Sequence, residues 1–481
     1  MKRAHLALAL VLALQPVAAA AQRETPVPIA AAQSTVLDAA LARAVAAASY
    51  GAPAVSVAVV EDGRIAYAHA TGLADLATRT AATTQTRFAI ASITKLVTAV
   101  CVMQLVESGK LRLDAPVTRV LPGVLPDNPQ MQEITVRELL RHTSGLADYA
   151  DAVFADGSVT RRTTPREIVA RFAAKPLAFE PGTAWGYSST NYVLLGLIVE
   201  KLSGESLAAY ERAHVFAPAG MTATSVGPPP GSPTARGYGA NGRPVPPIDF
   251  SWLFADGDLF STASDLARFD IALMDGVLVA PATFALMQAN PVASTMGAAG
   301  GSVAWGLGLS LVTAGEATFV GHHGGIPGFA AEDEMLPDRH FALIVLGNAS
   351  DFITARVNAA VLAVVLPPVV AASKTPGPTV GAEDPKVTAR LRAFVTDLVG
   401  GSLDRSQLNV SMNAAFTPAI ATQAEQVFAS FGALQTLTYR DHSQTMGLRL
   451  YHYNATFASG KGVVITFGLD SDDKIAGFAI E

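Results

Sequence analysis

A segment that is hydrophobic on every face of a helix, Leu96–Val106, stands out in the N-terminal part of the chain. A helix with this pattern belongs inside a domain, so its N-terminal end should be held rigidly. Ser92 and Lys95 stand at that end, and a spacing of three residues places their side chains on one helix face. The pattern therefore predicts a buried helix, ending near Gly109, that presents a serine and a lysine together.

Short hydrophobic segments predict β-strands at both ends of the first 365 residues. Ala54–Glu61 and Arg64–Thr71 flank an Asp-Gly signal that is typical of a hairpin. Further strands are predicted at Trp305–Val312, Ala317–Val320, Phe329–Leu336 and Phe341–Leu346. Helices are predicted at Val36–Ser49, Ile134–Gly145, Thr164–Phe172, Asn191–Leu202, Ser261–Met274 and Phe352–Val365. We therefore predict an α/β (α+β) fold, with one antiparallel sheet assembled from both ends, flanking helices and a mainly helical subdomain.

The composition changes after residue 365, which suggests a division into domains. Residues 366–384 are rich in Pro, Gly, Ala and Thr, as in a linker. Residues 385–481 are predicted to hold two helices, Val387–Val399 and Pro418–Phe431, and then four strands at Leu434–Asp441, Leu448–Phe457, Gly462–Leu469 and Ile475–Ile480. We predict a main domain over residues 22–365, a linker over 366–384 and a small α+β accessory domain over 385–481.

Composition and charge exclude several classes of protein. Half of the residues are hydrophobic and 15% are charged, so a large core is available and wholesale disorder is excluded. The formal net charge of −6 gives no indication of nucleic-acid binding. Cys101 is the single cysteine, which rules out an internal disulfide framework and predicts a small core residue. The histidines show no metal-binding spacing, so neither a metal nor a cofactor is expected.

The first 21 residues have the pattern of a cleaved signal peptide. Lys2 and Arg3 precede the apolar run Leu6–Leu14, and the small residues Ala18–Ala21 follow. The most nearly membrane-spanning later segment, Val357–Ala372, is interrupted by two prolines. We therefore expect a periplasmic or secreted protein without a stable membrane span.

The pairing of Ser92 with Lys95 suggests a nucleophile and its base. Burial beside the positive end of a helix dipole disfavours an ammonium, so we expect Lys95 to be able to accept a proton. A positioned base contributes about 10²–10⁴-fold to a rate. A structural alternative fits the local pattern equally well, with Ser92 as a helix N-cap and Lys95 extended towards solvent. The same spacing recurs at Ser471 and Lys474 in a charged turn, where nothing would desolvate the lysine.

Three further stretches of sequence help to decide between a catalytic and a structural role for Ser92 and Lys95. Tyr187-Ser188-Ser189 lies in a glycine-rich turn before an apolar helix, His322-His323-Gly324 lies beside a predicted strand, and Arg141–Leu146 closes a helix. Together with Phe88–Lys95, they resemble the serine β-lactamase and penicillin-binding-protein superfamily. Within it, the resemblance is to the class C β-lactamase branch, with its D-Ala-D-Ala carboxypeptidases, D-aminopeptidases and esterases. It covers about residues 35–365 in the family order, whereas the G-x-S-x-G motif of α/β-hydrolases does not occur.

The resemblance implies a β-lactamase/transpeptidase-like fold and a set of roles. Ser92 corresponds to the acylated nucleophile, Lys95 to its partner, and Tyr187 to the tyrosine of the family's Y-x-N motif. The third motif, K-T-G or H-x-G in the family, matches His322 and Gly324. The backbone N–H groups of Ser92 and Gly325 would form an oxyanion hole, in which each donor is worth about 10²–10³ in rate. Ser189, His323 and Gly324 are the remaining expected substrate-binding residues.

Two positions depart from the family pattern. Ser189 replaces the asparagine of Y-x-N, and a hydroxyl can reproduce the hydrogen bonds of an amide only in part. His322 stands where β-lactamases of this branch carry a lysine, so a permanent cation becomes a group that is only partly charged at neutral pH. This second departure argues against efficient penicillin hydrolysis and favours peptidases and esterases.

The expected protein is an exported serine hydrolase that forms an acyl-enzyme on Ser92 and acts on a small molecule or peptide. A D-amino-acid peptidase or carboxypeptidase-like substrate range is preferred. A carboxylesterase, a class C-like β-lactamase and a penicillin-binding sensor that acylates without turnover are the alternatives. His142 is expected to tie loops together, Asp148 and Tyr149 are possible cleft residues, and the oligomeric state stays open.

Overall fold

The computed structural model describes most of the chain between residues 31 and 480. The described residues are 31–46, 53–126, 129–229, 233–239, 242–294, 302–314, 317–349, 353–366, 383–409, 412–413, 428, 431–445, 448–470 and 472–480. The predicted signal peptide lies outside them, as do most of the predicted linker and most of the predicted helix Pro418–Phe431.

One antiparallel sheet of eight strands forms the centre of the main domain. In spatial order the strands are β2, β1, β13, β12, β11, β10, β9 and β8. Their bounds are β1 Val55–Glu61, β2 Arg64–Thr71, β8 Val292–Ala293, β9 Ser302–Trp305, β10 Ser310–Ala314, β11 Ala317–Ile326, β12 Phe329–Leu336 and β13 Phe341–Gly347. The prediction that both ends of the domain build one sheet is confirmed, since β1 pairs directly with β13.

Short strands outside this sheet make two small pairings. They are β3 Leu73–Asp75 with β4 Thr80–Ala81, and β5 Phe88–Ala89 with β7 Leu259–Ser261 and β6 Ser225–Val226. The second pairing fixes the chain just before the hydrophobic helix predicted above.

Helices cover both faces of the large sheet. In chain order they are α1 Ala31–Ala46, α2 Ile93–Glu107, α3 Val117–Val120, α4 Pro129–Gln132, α5 Val136–Arg141, α6 Ala150–Ala155, α7 Pro165–Phe172, α8 Ser189–Ser203, α9 Leu207–Glu211, α10 Ala217–Ala219, α11 Ala263–Met274, α12 Pro281–Gln288 and α13 Ile353–Val365. α1 and α13 pack on one face, while α2 and α11 pack on the other together with the helical subdomain.

Local sequence signals account for most of these boundaries. The turn between β1 and β2 has Asp62 and Gly63 at positive φ, as its Asp-Gly signal requires. Capping boxes at Thr135 and Thr164 start α5 and α7, and the Thr262 hydroxyl accepts a hydrogen bond at the start of α11. The buried helix ends at Glu107, with Gly109 left-handed shortly after it, as predicted.

Two strand predictions differ from the structure. Trp305–Val312 was expected to be one strand, but the chain turns between Trp305 and Ser310 to form β9 and β10. Gly308 allows this turn, because its φ is +87° and a Cβ there would collide with Ala99 of α2. β11 was expected to end at Val320, but it continues through a glycine-rich segment to Ile326 because β12 pairs with it along that length.

The C-terminal part of the chain has a hydrophobic core of its own. A helix, α14 Pro385–Val399, accompanies a four-stranded antiparallel sheet of β14 Leu434–Thr445, β15 Leu448–Phe457, β16 Gly462–Leu469 and β17 Ile475–Ile480. Phe394 of the helix lies edge-on to Phe467 and Phe478 of the sheet. Over the described ranges, no helix combines the length and the apolar character that crossing a membrane requires.

Candidate active site

The start of α2 is fixed by strain and by pairing. Ala91, directly before Ser92, has a φ of +47°, a left-handed conformation that a residue with a Cβ adopts at a cost of about 1–3 kcal/mol. The backbone of Ile90 donates a hydrogen bond to the carbonyl of Leu259, 3.0 Å away. Ser92 occupies the N-cap position, yet its hydroxyl makes no capping hydrogen bond. The strained entry therefore leaves the Ser92 hydroxyl available for other partners.

Lys95 is buried beside this hydroxyl, with 1% of its side chain exposed. Its ammonium donates to Ser92 Oγ at 3.2 Å and to the backbone carbonyl of Asp256 at 2.9 Å. The carboxylate atom Asp256 Oδ2 lies 3.4 Å from Nζ. The structural alternative of a capping serine and a solvent-directed lysine is therefore wrong.

The segment that carries Asp256 is held by the same face of α2. The Thr98 hydroxyl donates to the carbonyl of Ala255 at 2.7 Å, and Thr94 Oγ1 accepts from the N–H of Leu259 at 3.3 Å. Ala255 has a φ of +66°, so a second strained alanine stands directly before a partner of Lys95. Strain is tolerated at both alanines because the surrounding contacts determine the backbone.

Tyr187 reaches the same place from the loop before α8. That loop is fixed by the turn after α5, since the N–H of Gly186 donates to the carbonyl of His142 at 2.8 Å. The His142 ring stacks on Tyr187 with 4.3 Å between ring centroids, and its Nδ1 accepts from the N–H of Ser188 at 3.1 Å. Burial, with the Lys95 ammonium next, holds the pKa of His142 well below its ordinary value, so this ring is a neutral support for the tyrosine.

The phenol of Tyr187 interacts with both Ser92 and Lys95. Its ring also lies under the ammonium, with Nζ 5.1 Å from the ring centroid. Burial raises the pKa of Tyr187 against the lowering effect of Lys95, so the phenol is protonated at neutral pH. The structure thus brings Ser92, Lys95 and Tyr187 into one cluster.

The charge of Lys95 differs from the sequence-based expectation. Desolvation lowers the pKa of Lys95, but the opposing effects of Tyr187 and Asp256 outweigh it, and the pKa lies above its ordinary value. The prediction that burial favours the neutral amine is therefore wrong for the resting protein. It counted burial and the helix dipole but not the carboxylate, whose attraction is large in a desolvated site.

His322 lies at the edge of this cluster and is neutral. The side chain is 2% exposed and meets the rings of Tyr187 and Trp305 edge-on. Its Nδ1 lies 2.6 Å from the carbonyl oxygen of His323, which makes Nδ1 the protonated nitrogen. Burial and the Lys95 ammonium lower the pKa of His322 to about 3. The expectation of partial charge at neutral pH is therefore corrected to a neutral imidazole.

His323 points the other way, because successive residues of a strand face opposite sides of the sheet. Its Nδ1 contacts Glu332, directly opposite on β12, and its Nε2 lies 3.9 Å from Glu334. Candidate ligand atoms of these three residues lie within 4.8 Å of one another, a cluster that the sequence spacing did not indicate. An ion pair of His323 with Glu332 accounts for the cluster. The substrate-binding role expected for His323 stays a prediction.

Gly324 and Gly325 continue β11 past the serine. A Cβ on Gly324 would collide with the carbonyl oxygen of Ile90, so only glycine allows β11 to approach the start of α2 this closely. Backbone groups of alternate residues point towards β10, and the carbonyl of Gly321, which accepts from Ser310 Oγ, is one of them. By the same alternation, the N–H of Gly325 points to the side of β11 on which β10 lies. β10 begins opposite Gly321, so Gly325 lies past the end of β10.

Acidic residues complete the site, and the sequence indicated them only in part. Asp256 is 3% exposed, and its Oδ1 lies 2.9 Å from the Tyr149 hydroxyl, which also contacts the carbonyl of Trp252. The Ser189 side chain interacts with the same carboxylate. Asp148 is half-buried, and its Oδ1 accepts from the N–H of Ser189 at 3.0 Å. Burial raises the pKa of Asp148 to about 6. Asp148 and Tyr149 were possible cleft residues, whereas nothing in the sequence around Asp256 marked it.

A hydroxyl within reach of an amine and a phenol, beside backbone donors at a sheet edge, is the arrangement that acyl transfer requires. The fold and the cluster together define a serine hydrolase.

Residues 37–366 match the model of the Beta-lactamase family, and the chain belongs to that family. Its large antiparallel sheet flanked by helices is the β-lactamase/transpeptidase-like fold, as predicted.

Relatives with different names match this chain. Penicillin-binding protein 4* of Bacillus subtilis (strain 168) is 31% identical over 320 residues, which cover 62% of this chain and 68% of that protein. Esterase EstB of Burkholderia gladioli is 40% identical over 174 residues, covering 34% of this chain and 44% of the esterase. The crystal structure of D-amino acid amidase from Ochrobactrum anthropi SV3 complexed with L-phenylalanine has a TM-score of 0.60 at 30% identity, covering 72% of this chain and 98% of that chain.

Replacing Gly324 should disturb the site through the backbone. In Gly324→Ala the new methyl group displaces β11 from Ile90, so we expect the free energy of unfolding to fall by about 1–3 kcal/mol. Labelling of the protein by a fluorophosphonate should slow at the same time. Gly325→Ala is the matched control, since a Cβ there meets nothing within 4 Å, and its stability should stay within about 0.5 kcal/mol of wild type. Wild-type stability and labelling in Gly324→Ala would contradict the close approach.

The buried neutral His322 should make stability depend on pH. Its pKa is about 3 in the folded protein against an ordinary value of 6.5, so the unfolded chain binds more protons between these values. The contribution of His322 is complete above about pH 6.5 and is lost as the pH falls towards 3. Denaturant unfolding at several pH values should show a shallower acid slope in His322→Asn than in wild type. Equal slopes would place a charged imidazole in the folded state.

Proposed function

We propose that the protein is a hydrolase that forms an acyl-enzyme on Ser92 and transfers the acyl group to water. The observation that carries this proposal is the 3.2 Å hydrogen bond from the buried Lys95 ammonium to the Ser92 hydroxyl. A serine needs a neighbouring group that can take its proton when it attacks a carbonyl, and Lys95 would be that group once it has given up a proton of its own. The Tyr187 phenol, which lies beside both residues, would pass a proton on to the leaving group.

The developing negative charge would be stabilised by backbone N–H groups. Ser92 begins α2, where N–H groups lack intrahelical partners, and Gly325 faces it from the edge of β11. These two donors form the proposed oxyanion hole, as expected from the family resemblance. In this proposal Gly324 is a spacer whose missing side chain lets the two donors come together.

The charges in the site favour a substrate without a free carboxylate. His322 is neutral and Lys95 is already paired with Asp256, so among the described residues of this cluster no cation is left to bind an anion. Asp148 offers the opposite charge. Its Oδ1 is occupied by the N–H groups of Ser189 and Ala150, and a pKa of about 6 leaves it mostly ionised at neutral pH. We therefore propose an acyl donor with a free amino group, as in the amide of a D-amino acid.

The relatives support this substrate class. The neighbour of known structure from Ochrobactrum anthropi SV3 is a D-amino acid amidase. A D-aminopeptidase from Brucella canis is 27% identical over 65% of this chain. Both names describe donors that carry an amino group next to the scissile bond, which is the group that Asp148 would bind.

Ester hydrolysis is the second candidate, favoured by the neutral His322. An ester has no carboxylate to be held, and the similarity to esterase EstB reaches 40% over the segment that matches. A β-lactam does carry a carboxylate, so β-lactamase activity and long-lived penicillin binding are less favoured.

For export we propose the signal peptide predicted at residues 1–21. For residues 385–481 we propose an accessory domain that supports the main domain without contributing to the site.

Covalent labelling tests the nucleophile. A fluorophosphonate should add one adduct to the full chain in intact-protein mass spectrometry, and Ser92→Ala should add none. Tyr187→Phe should acylate at least about 10²-fold more slowly, because the phenol no longer relays a proton. Ser188→Ala, which changes the neighbouring side chain, is the control and should label at close to the wild-type rate. An adduct that persists in Ser92→Ala would refute the proposal.

Substrate preference tests the role of Asp148. Asp148→Asn keeps an oxygen for the N–H groups of Ser189 and Ala150 but removes the charge, so KM for D-phenylalanine amide should rise at least about tenfold, the size of one lost charged hydrogen bond. Hydrolysis of 4-nitrophenyl butyrate, which has no amino group, should change little. Asp156→Asn, in an exposed turn, serves as the control. Equal effects on both substrates would show that Asp148 does not bind an ammonium.

A further inference from the structure

Asp256 contacts Lys95 directly, but the proposed formation of the acyl-enzyme assigns it no role. Its carboxylate lies 3.4 Å from the ammonium, accepts from Tyr149 at 2.9 Å and interacts with the side chain of Ser189. These partners come from α2, from the loop before α6 and from the first residue of α8. Ser189 is the position at which the chain departs from the Y-x-N motif. The residue that lacks the amide is therefore in contact with the extra carboxylate.

We propose that Asp256 is a positioning residue for Lys95 that takes over the place of the missing amide and holds one proton of the lysine during acylation. The inference rests on the proposed acyl-enzyme on Ser92. It assigns to Asp256 two linked tasks, which are to keep the amine directed at Ser92 Oγ and to make the amine available as a base.

The protons that move during acylation are all exchanged among residues of the site and the leaving group. Before attack, one proton moves from the Lys95 ammonium to Asp256 Oδ2, which leaves a neutral amine and a neutral carboxylic acid. The Ser92 proton then passes to the amine as Oγ bonds to the carbonyl carbon and the carbonyl electron pair moves onto oxygen. When the tetrahedral intermediate collapses, the leaving group takes a proton from Lys95 through Tyr187. Asp256 then returns its proton to Lys95, which restores the ion pair.

Burial makes the first transfer accessible. Lys95 and Asp256 are 1% and 3% exposed, so the charged pair lacks the solvation that would favour it in water. Desolvation raises the pKa of Asp256 in spite of the lysine, which favours the transfer, while the raised pKa of Lys95 opposes it. The other titratable groups that face the pair are Asp148, Tyr149, Tyr187, Asp258, His142 and His322. The Tyr192 ring lies 5.7 Å from Nζ.

The proposal predicts a distinctive pH profile. In the wild type the acceptor for the lysine proton is inside the site, so kcat/KM for 4-nitrophenyl butyrate should be nearly flat from about pH 6 to 9. Asp256→Asn has no acceptor, and Lys95 must lose its proton to solvent before it can act. The variant should therefore follow a one-proton acid limb, with a rate that rises about tenfold per pH unit up to a plateau and with KM little changed.

Matched variants separate this role from a structural one. Asp256→Ser is neutral and still able to hydrogen-bond Lys95, so it should show the same acid limb and replaces Asp256→Asn if that variant does not fold. Asp256→Glu keeps a carboxylate and should restore the flat profile. Asp270→Asn removes a different fully buried acid, which contacts Asp333, and should follow the wild-type profile. Thermal unfolding confirms that each variant is folded.

The outcomes are distinguishable from those of the proposed function. A uniform loss of rate at every pH in Asp256→Asn would show that Asp256 only supports the structure, and a one-proton limb in the wild type would show that no internal acceptor exists. Either result overturns the role of Asp256 while Ser92 stays the nucleophile. Hydrolysis that survives Ser92→Ala would instead overturn the proposed function.

Discussion

The structure depends on the burial of a lysine ammonium at the start of a hydrophobic helix. Removing an ammonium from water costs several kcal/mol unless it is paired and hydrogen-bonded. Lys95 meets that requirement with the Asp256 carboxylate, the Asp256 carbonyl and the Ser92 hydroxyl. These partners are held in place by β5, by the 255–259 segment bonded to α2, and by two alanines in left-handed conformations. The architecture of the main domain thus supports one desolvated ion pair.

The sequence predicted the fold better than it predicted the site. Hydrophobic periodicity and turn signals are local, so the sheet built from both ends and its first hairpin could be predicted. Asp256 could not, because it stands 161 residues from Lys95 with no motif around it. Tyr187 and Asp256 together raise the pKa of Lys95, and the sequence-based expectation for its charge took neither effect into account. The orientation of His323 could not be predicted for a different reason. The predicted strand ended at Val320, and the side of the sheet that a residue faces can be inferred only when the residue lies within the strand.

Two histidines in the site act without charge. His142 stacks under Tyr187 and accepts a backbone hydrogen bond, while His322 donates to the carbonyl of its neighbour. Burial and the nearby ammonium lower the pKa of both rings. Protonating either one would place a second positive charge near Lys95 in a region of low polarity, where repulsion is strong. The ammonium therefore keeps both rings neutral.

Further acids lie behind the ion pair, and their protonation limits the charge that accumulates there. Burial, with Asp256 next, raises the pKa of Asp258 to about 8, so this group is mostly neutral at pH 7. Glu211 is also buried, and desolvation with the charge of Asp258 raises its pKa. With Asp258 mostly protonated, the ion pair of Lys95 and Asp256 sums to zero. A proton that moves within the pair leaves its net charge at zero, so the exchange needs no proton from the solvent.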